Sequence, residues 1–315
     1  MLSRRHIRIK VFQSLYAYFQ EDNPDSVAVE KQLNKSIDRI YELYMYELRL
    51  LYELKLAAEH FIDLALNKKL PTHSDLDPNR RFVDNQVLKI FFEDDGFIAA
   101  CEKYNVSWSE ERHFTRSLYQ ELKNSDLFKA YMDKPNTSFS EDKAFLREVY
   151  EVFIVHNEDL YNLYEEKNLY WADDLDAAQM MVDKTFKKLK LADLRSPALV
   201  KLFKDADDET FASKLFRYTL KTSAETQNRI ATKAQNWEMD RIAAIDVILM
   251  KMAVAEFIHF ETIPLKVSMN EYIELSKGYS TPKSSLFING ILDRILNNLK
   301  EEGKIKKIGR GLLET

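Results

Sequence analysis

Basic side chains are concentrated in the first two turns of the first predicted helix. Arg4, Arg5, His6, Arg8 and Lys10 lie within a seven-residue stretch. Cations near a helix N-terminus oppose the macrodipole, at roughly 0.3–1 kcal/mol each when exposed, and Arg4 and Arg8 repel at the i,i+4 spacing. Phosphate contacts would offset this cost, although a solvated helix end explains the pattern equally well. Arg8 favours the phosphate interpretation because it projects from the middle of the apolar arc.

A second polar feature lies near the other end of the chain, in the segment Phe287–Asp293. Its Asn289-Gly290 pair is normally a turn signal, but the flanking apolar residues keep a helical period, so the pair is predicted to lie inside a helix. A glycine there costs about 1 kcal/mol against alanine. We expect a close helix–helix contact at Gly290, with Asn289 bonded to a neighbouring loop; direct ligand contact is the alternative.

The loop Tyr279–Ser285 offers hydroxyl groups, Lys283 and a helix N-terminus, which together suit an anion. The same residue types serve as helix caps, so this signal is weak alone. Ser268 and Glu271 have the spacing of a capping box, and that helix is predicted to stop at Gly278. Thr281 is the predicted N-cap of the last helix, with Pro282 at its first position.

Enzymatic and metal sites are not indicated. The six histidines are scattered, without the H-x-x-x-H or H-E-x-x-H spacing, and no Gly-rich phosphate loop or G-x-S-x-G motif occurs. Cys101 is the one cysteine, so an internal disulfide or a thiolate zinc site is not expected. The adjacent carboxylates Asp94-Asp95 and Asp173-Asp174 would diverge on a helix. The sequence therefore predicts no enzyme, no cofactor and no metal.

The elements that position these residues are predicted to be helices. Glycine and proline are scarce, and no segment alternates with period 2. Ile9, Phe12, Tyr16 and Phe19 form one stripe of the first helix's apolar arc. No signal peptide or run of 18 apolar residues is visible, which predicts a soluble, cytoplasmic protein without membrane contact. The helices are predicted at 3–19, 27–69, 82–91, 94–104, 108–132, 140–168, 172–190, 207–219, 224–234, 239–260, 268–277 and 282–300.

Charge is distributed unevenly along the chain. The formal net charge is −5, which alone argues against a nucleic-acid partner. Residues 21–200, however, carry 24 Lys and Arg against 35 Asp and Glu, whereas the remainder carries 22 against 16. The two ends of the chain are therefore basic, and the middle is acidic.

Several segments of the C-terminal third occur in an order and spacing similar to the NusB family of transcription antitermination factors. They are Asp240–Asp246, Ile248–Glu256, Ile263–Glu271, Glu274–Lys277 and Phe287–Asp293. At the other end, Arg4–Arg8 and Gln13–Tyr16 resemble the arginine-rich first helix of that family, and 207–237 resembles its intervening helix pair.

The resemblance implies an all-α, NusB-like helical bundle of two subdomains that binds single-stranded box A RNA of ribosomal RNA leader transcripts. It implies two partners, the NusE ribosomal protein, docking on the face of residues 239–260, and the RNA polymerase elongation complex. By matching position and basic character, the expected RNA-binding residues are Arg4, Arg5, His6, Arg8, Lys10, Gln13, Lys283 and Ser284. The motif positions expected to be structural are Asn270, Glu271, Phe287, Asn289, Gly290 and Asp293.

The chain also departs from the family. The NusB-like domain is expected at residues 1–20 plus 205–300, interrupted by an acidic helical insertion at 21–204 and followed by a basic tail at 301–315. His6 stands where the family often has arginine. The insertion could cover a dimer surface, so a homodimer is possible.

Two other functions compete with antitermination. The acidic insertion could make the chain a protein–protein scaffold with little RNA binding. The fold also occurs as the RNA-targeting domain of ribosomal RNA methyltransferases, which the lack of a nucleotide-binding Gly-rich motif disfavours.

Overall fold

The computed structural model describes residues 1–191, 199–234 and 242–313. These residues form helices and connecting turns without a strand, so the predicted all-α class is confirmed. None of the described helices is long and apolar enough to cross a membrane. The α-helices are α1 (Arg4–Gln20), α2 (Ser26–Leu66), α3 (His73–Leu76), α4 (Gln86–Glu93), α5 (Asp95–Lys103), α6 (Arg112–Asn124), α7 (Asp126–Met132), α8 (Phe139–Val149), α9 (Glu158–Lys167), α10 (Leu175–Lys188), α11 (Ala206–Lys233), α12 (Ala244–His259), α13 (Leu265–Tyr279) and α14 (Ser284–Glu301).

The chain divides into two compact units. The first, called here the terminal unit, contains residues 2–37 and 203–315, and the second, the internal unit, contains residue 1 and residues 38–202. The boundary between them falls inside α2, a continuous helix of 41 residues.

The terminal unit is organised around α12. This helix is buried from Ile248 to Phe257, and it contacts α1, α11, α13 and α14. A helix that is apolar on nearly all sides needs neighbours on all sides, so the other four helices surround it. The two charged residues buried in this run, Lys251 and Glu256, therefore need partners inside the unit.

The internal unit is held together by aromatic side chains. Phe82, Phe128 and Phe145 lie with their ring centroids 5.4–6.3 Å apart, and Tyr131 stacks on Phe145 at 3.7 Å. A second aromatic group surrounds Trp108, which is fully buried. Between α8 and α9 the helix widens into a π-helical segment, Tyr150–Ile154.

Several predicted helix boundaries were wrong. The predicted helices at 207–219 and 224–234 are one continuous helix, α11 (Ala206–Lys233). The hydroxyls of Thr219 and Thr222 donate to carbonyls four residues earlier without interrupting it. The predicted helix at 108–132 is broken at Ser125, the N-cap of α7. The one at 140–168 is broken after the π-helical segment. The prediction of a helix from residue 239 lies partly outside the described residues.

The ends of the last two helices also differ from prediction. α13 begins at Leu265, so Ser268 is inside the helix and is not a cap. It continues through Gly278 to Tyr279. α14 begins at Ser284 with Lys283 as its N-cap residue, and Thr281 does not cap it.

Candidate nucleic-acid interface

A buried ion pair joins α1 to the centre of the terminal unit. Arg8 donates from Nε to Oε2 of Glu256 at 2.9 Å and from Nη2 to Oε1 at 2.6 Å. From α13, the hydroxyl of Ser268 donates to Oε1 at 2.5 Å, and that of Tyr272 donates to Oε2 at 2.8 Å. Glu256 thus receives four hydrogen bonds from two helices while remaining fully buried.

The surroundings of Glu256 decide its charge. Burial opposes ionisation, but the attraction and hydrogen bonds of Arg8, together with the hydroxyls of Ser268 and Tyr272, outweigh it and hold the pKa of Glu256 below its usual value. Burial and the carboxylate raise the pKa of Tyr272 well above that of a free phenol. The pair is therefore ionised at neutral pH, with Tyr272 as a neutral donor.

The prediction that Arg8 and Lys10 bind RNA is therefore wrong. Arg8 is 2% exposed, and its guanidinium is occupied by Glu256, so it cannot reach a phosphate at the surface. Lys10 is 3% exposed, so it is not a surface cation either. The local sequence could not show this, because Glu256 lies 248 residues away from Arg8.

Arg4 and Arg5 remain nearer the surface, each paired with a carboxylate. Nε of Arg4 donates to Asp208 at 2.7 Å, and its guanidinium lies 5.3 Å from the ring centroid of Phe211. Arg5 binds Glu271 through two hydrogen bonds of 2.9 and 2.8 Å, with half of its side chain exposed. Glu271, predicted to close a capping box, therefore binds α1 instead.

His6 is half-buried beside the start of α1. Its Nδ1 lies 2.7 Å from Oγ of Ser3, and that oxygen caps the helix by accepting from the backbone N–H of His6. His6 therefore belongs to the N-terminal end of α1.

One face of α1 remains accessible along its length. Arg5, Ile9, Gln13 and Tyr16 follow one another at helical spacing, and all four are exposed or half-exposed. The ring of Phe12 lies 5.2 Å from that of Tyr279, which sets the end of α13 beside α1. Tyr16 is 41% exposed, although the sequence pattern assigned it to the apolar arc; its position in the row of Arg5 and Gln13 was the signal that could have found it.

A buried aspartate fixes the loop between α13 and α14. Asp246 accepts from the hydroxyl of Ser280 at 2.5 Å and from that of Ser284 at 2.8 Å. Thr281 lies 2.8 Å from the hydroxyl of Ser284. Ser284, a predicted RNA-binding residue, is 2% exposed. Its role is instead to hold the loop in place through Asp246. Lys283, by contrast, is exposed.

The predicted close helix contact at Gly290 was wrong. A Cβ built on Gly290 meets nothing within 4 Å, and both Asn289 and Gly290 are exposed. The buried face of α14 is formed instead by its Ile and Leu residues, including Ile288 and Leu292. Leu286, which the sequence did not single out, is 79% exposed.

The other motif positions divide between surface and interior. Phe287 is half-buried, whereas Asn270 and Asp293 are exposed. The last two therefore lie at the surface of the terminal unit, outside its core. No group of three side chains able to hold a metal ion occurs in the described ranges.

Comparisons with known proteins identify the family of the helices against which α1 packs. The family model described as the NusB family matches residues 172–297. The transcription antitermination protein NusB of Salinibacter ruber (strain DSM 13855 / M31) is 50% identical over 118 residues, which are 37% of this chain and 74% of that protein. The chain belongs to the NusB family.

Other NusB proteins share shorter segments with this family member. The NusB of Chloroherpeton thalassium (strain ATCC 35110 / GB-78) is 43% identical over 110 residues, 35% of this chain and 52% of that protein. The NusB of Natranaerobius thermophilus is 43% identical over 68 residues, 22% of this chain and 49% of that protein. The chain thus spans about half the length of these two relatives. No solved structure matches it.

The NusB match covers the carboxylates to which α1 binds. Asp208, Glu256 and Glu271 all lie inside it, whereas α1 precedes it by more than 150 residues. α1 is therefore joined to the NusB helices by contacts, through Arg5 with Glu271 and Arg8 with Glu256.

The basic tail packs onto this same unit. Lys304 pairs with Glu225 at 2.8 Å and with Glu302 at 3.1 Å. Nζ of Lys307 donates to the carbonyl of Phe260 at 2.8 Å, and burial lowers the pKa of Lys307 to about 8. Both lysines therefore have partners in the fold, while Lys306 and Arg310 are exposed.

Gly311 makes the closest approach of the tail. A Cβ added there would lie 1.9 Å from the carbonyl oxygen of Glu261. We expect Gly311→Ala to displace the tail and to break the hydrogen bond from Ile308 N–H to Glu261; overpacking of this kind costs about 1–3 kcal/mol. Faster amide exchange at 304–313 would show it, and Gly278→Ala, in helical backbone with no neighbour within 4 Å, controls for glycine replacement. Equal exchange in Gly311→Ala and the wild type would contradict the docking.

Proposed function

We propose that this NusB-family protein is an RNA-binding antitermination factor that acts on ribosomal RNA operons. Its RNA would be a single-stranded box A-type element, bound together with the NusE ribosomal protein in the RNA polymerase elongation complex. The relatives are named transcription antitermination proteins. The observation that carries the proposal is the exposed face of α1, held against the NusB helices by the Arg8–Glu256 pair.

The residues of this face suit single-stranded RNA. Such RNA is recognised by cations on its phosphates, amides on its base edges and aromatic rings that stack on its bases. Arg5 and Lys283 supply the cations, Gln13 supplies an amide, and Tyr16 supplies an exposed ring. The RNA-binding surface that we propose therefore consists of Arg5, Gln13, Tyr16 and Lys283.

The ion pairs limit the electrostatic gain. Arg5 must exchange Glu271 for a phosphate, and Arg4 must exchange Asp208. For single strands the logarithm of the binding constant falls with the logarithm of salt concentration by about 0.7 per phosphate neutralised. With Arg5 and Lys283 as the principal cations, we expect the plot of log binding constant against log salt concentration to have a slope of about −1 to −2. Five basic residues in contact with phosphates would give a steeper slope.

Three single substitutions test this surface. Arg5→Ala and Lys283→Ala should each weaken binding to box A RNA and flatten the salt slope by about 0.7. Tyr16→Ala should weaken binding by about 1–3 kcal/mol, with the slope unchanged, because stacking releases no counterions. Fluorescence anisotropy with and without NusE, at two or more salt concentrations, measures both quantities.

Lys300→Ala provides the control, since Lys300 is an exposed cation at the other end of α14. It should leave affinity and slope near the wild-type values. Wild-type affinity in all three surface variants would reject the proposed RNA surface.

We also propose how the chain is divided into domains. Residues 1–20 plus 205–300 would form the NusB-like domain, 21–204 the insertion and 301–315 an appended tail. The start of α2 contacts α11 within the terminal unit, through Glu30 with Arg217 at 2.7 Å. A deletion of the insertion should therefore retain residues 26–37.

A protein–protein scaffold is the second candidate, favoured by the acidic balance of residues 21–200 and by the separate core of the internal unit. Its partner would be recovered by pull-down after nuclease treatment, and box A RNA would not bind. A homodimer would appear as a doubled mass in sedimentation.

A further inference from the structure

The internal unit contains a cleft lined mainly by cations. Its volume is about 320 Å³, and its wall combines one face of α2 with the beginning of α6. Three arginines line it, Arg49, Arg112 and Arg116, together with His60 and a single carboxylate, Glu53. A concave site with converging groups of one charge sign favours ligands of the opposite sign.

Two of these arginines lack a counter-charge. Arg49 donates from Nε to Glu53 at 2.8 Å, so those two charges compensate each other. Arg112 and Arg116 form no ion pair with any residue in the described part of the chain. They are four residues apart in the first turns of α6, where like charges repel and the macrodipole disfavours cations. An anion in the cleft would remove both penalties.

The N-terminus of α6 has no side-chain cap. Glu111 occupies the cap position without a capping hydrogen bond. Its carboxylate is bound by Lys167 at 2.5 Å instead. The amides of the first turn are therefore unsatisfied by side chains and are oriented to bind an anion.

Trp108 forms part of the buried wall of the cleft. It lines the cleft and is 1% exposed, and its indole N–H meets no acceptor among the described residues. The ring is packed against Tyr46 and Tyr164 at centroid distances of 5.8 and 6.2 Å. The cleft therefore has a closely packed aromatic side chain in its wall.

The remaining residues of the wall indicate the chemistry of the ligand. Leu56, Ala57 and Val106 give the cleft an apolar portion, and its volume lies at the small end of the usual range for small-molecule sites. Two uncompensated guanidinium groups beside a helix N-terminus match a doubly charged phosphate better than a single carboxylate. We propose that this cleft binds a small organic phosphate, with its phosphate on Arg112 and Arg116 and its apolar part on Leu56, Ala57 and Val106.

Calorimetric titration of the full chain tests the proposal, with phenyl phosphate as the probe. Phenyl phosphate should bind at least tenfold more tightly than benzoate, which carries one charge, and phenol should not bind. The double variant Arg112→Gln/Arg116→Gln should bind phenyl phosphate at least tenfold more weakly than the wild type.

The matched control removes two cations elsewhere in the same unit. Arg80 and Lys89 both lie near Asp84 at the surface, at 3.6 and 3.3 Å, and Arg80→Gln/Lys89→Gln should bind phenyl phosphate as the wild type does. Without ligand, Arg112→Gln/Arg116→Gln should leave the internal unit no less stable to urea than in the wild type, because it relieves repulsion. The proposal is overturned if the wild type takes up no phenyl phosphate at millimolar concentration, or if both double variants bind it equally.

Discussion

Arg8→Ala is expected to destabilise the terminal unit by about 3–5 kcal/mol, the usual cost of removing one partner of a buried ion pair. It would leave Glu256 fully buried with only the hydroxyls of Ser268 and Tyr272 as partners. The two units need not unfold together, so a single melting temperature is a poor measure. Amide hydrogen exchange in α12 reports the terminal unit directly.

Arg5→Ala is the matched control for Arg8→Ala. It removes the same side-chain type from the same helix, but the Arg5–Glu271 pair is exposed on the arginine side and should be worth less than about 1 kcal/mol. Equal protection of α12 in the two variants would show that the buried pair does not stabilise the unit. A combined alanine replacement of Arg4, Arg5 and Arg8 would lose RNA binding through unfolding, so it cannot test phosphate contact.

The stability of the internal unit is expected to fall as pH rises from about 4.5 to about 7. Glu47 is fully buried, and its carboxylate accepts a hydrogen bond from Tyr150 in the π-helical segment. Burial raises the pKa of Glu47 from 4.5 to about 7, against the hydrogen bond that Tyr150 donates, which lowers it. Between these two pH values the folded state holds a proton that the unfolded state has lost, so raising the pH favours unfolding.

The expected loss is on the order of 3 kcal/mol, since each pKa unit corresponds to about 1.4 kcal/mol. Glu47→Gln should remove this part of the pH dependence and be the more stable protein above pH 7. Urea unfolding in a Trp237→Phe background, where the remaining tryptophans Trp108 and Trp171 both belong to the internal unit, measures it by fluorescence at several pH values. Glu121→Gln changes an exposed carboxylate of the same unit and should keep the wild-type profile; a Glu47→Gln profile of that same shape would disprove the assignment.

Sequence periodicity predicted the helical class and most helices, because an amphipathic helix is a local pattern. The helix predicted from residue 3 begins with Ser3 as its N-cap, whose side chain accepts from the backbone N–H of His6. The capping box at Ser268 failed for a non-local reason. Its hydroxyl donates to Glu256 on another helix. The capping-box rule considers only residues three apart in sequence, so it could not predict this partner.

The candidate site was predictable in outline and not in its individual contacts. The family resemblance identified the correct family, and in the terminal unit Arg5 and Lys283 are exposed and Gln13 is half-buried. Arg8, Lys10 and Ser284 could not be distinguished from them, because burial depends on helices distant in sequence. The aromatic core of the internal unit escaped prediction for the same reason: Phe82 and Phe145 meet across more than 60 residues.

The distance in sequence between Arg8 and Glu256, 248 residues, has a consequence during synthesis. At 5–20 residues per second, roughly 12–50 s separate the two residues at the ribosome. In that interval the whole of residues 38–202 is made and can fold as a unit. During the same interval the apolar face of α1 stays exposed to solvent. The nascent chain should therefore be most sensitive to proteases and most dependent on chaperones at α1. α1 therefore cannot complete its packing until α12, which begins more than 200 residues later, has been made.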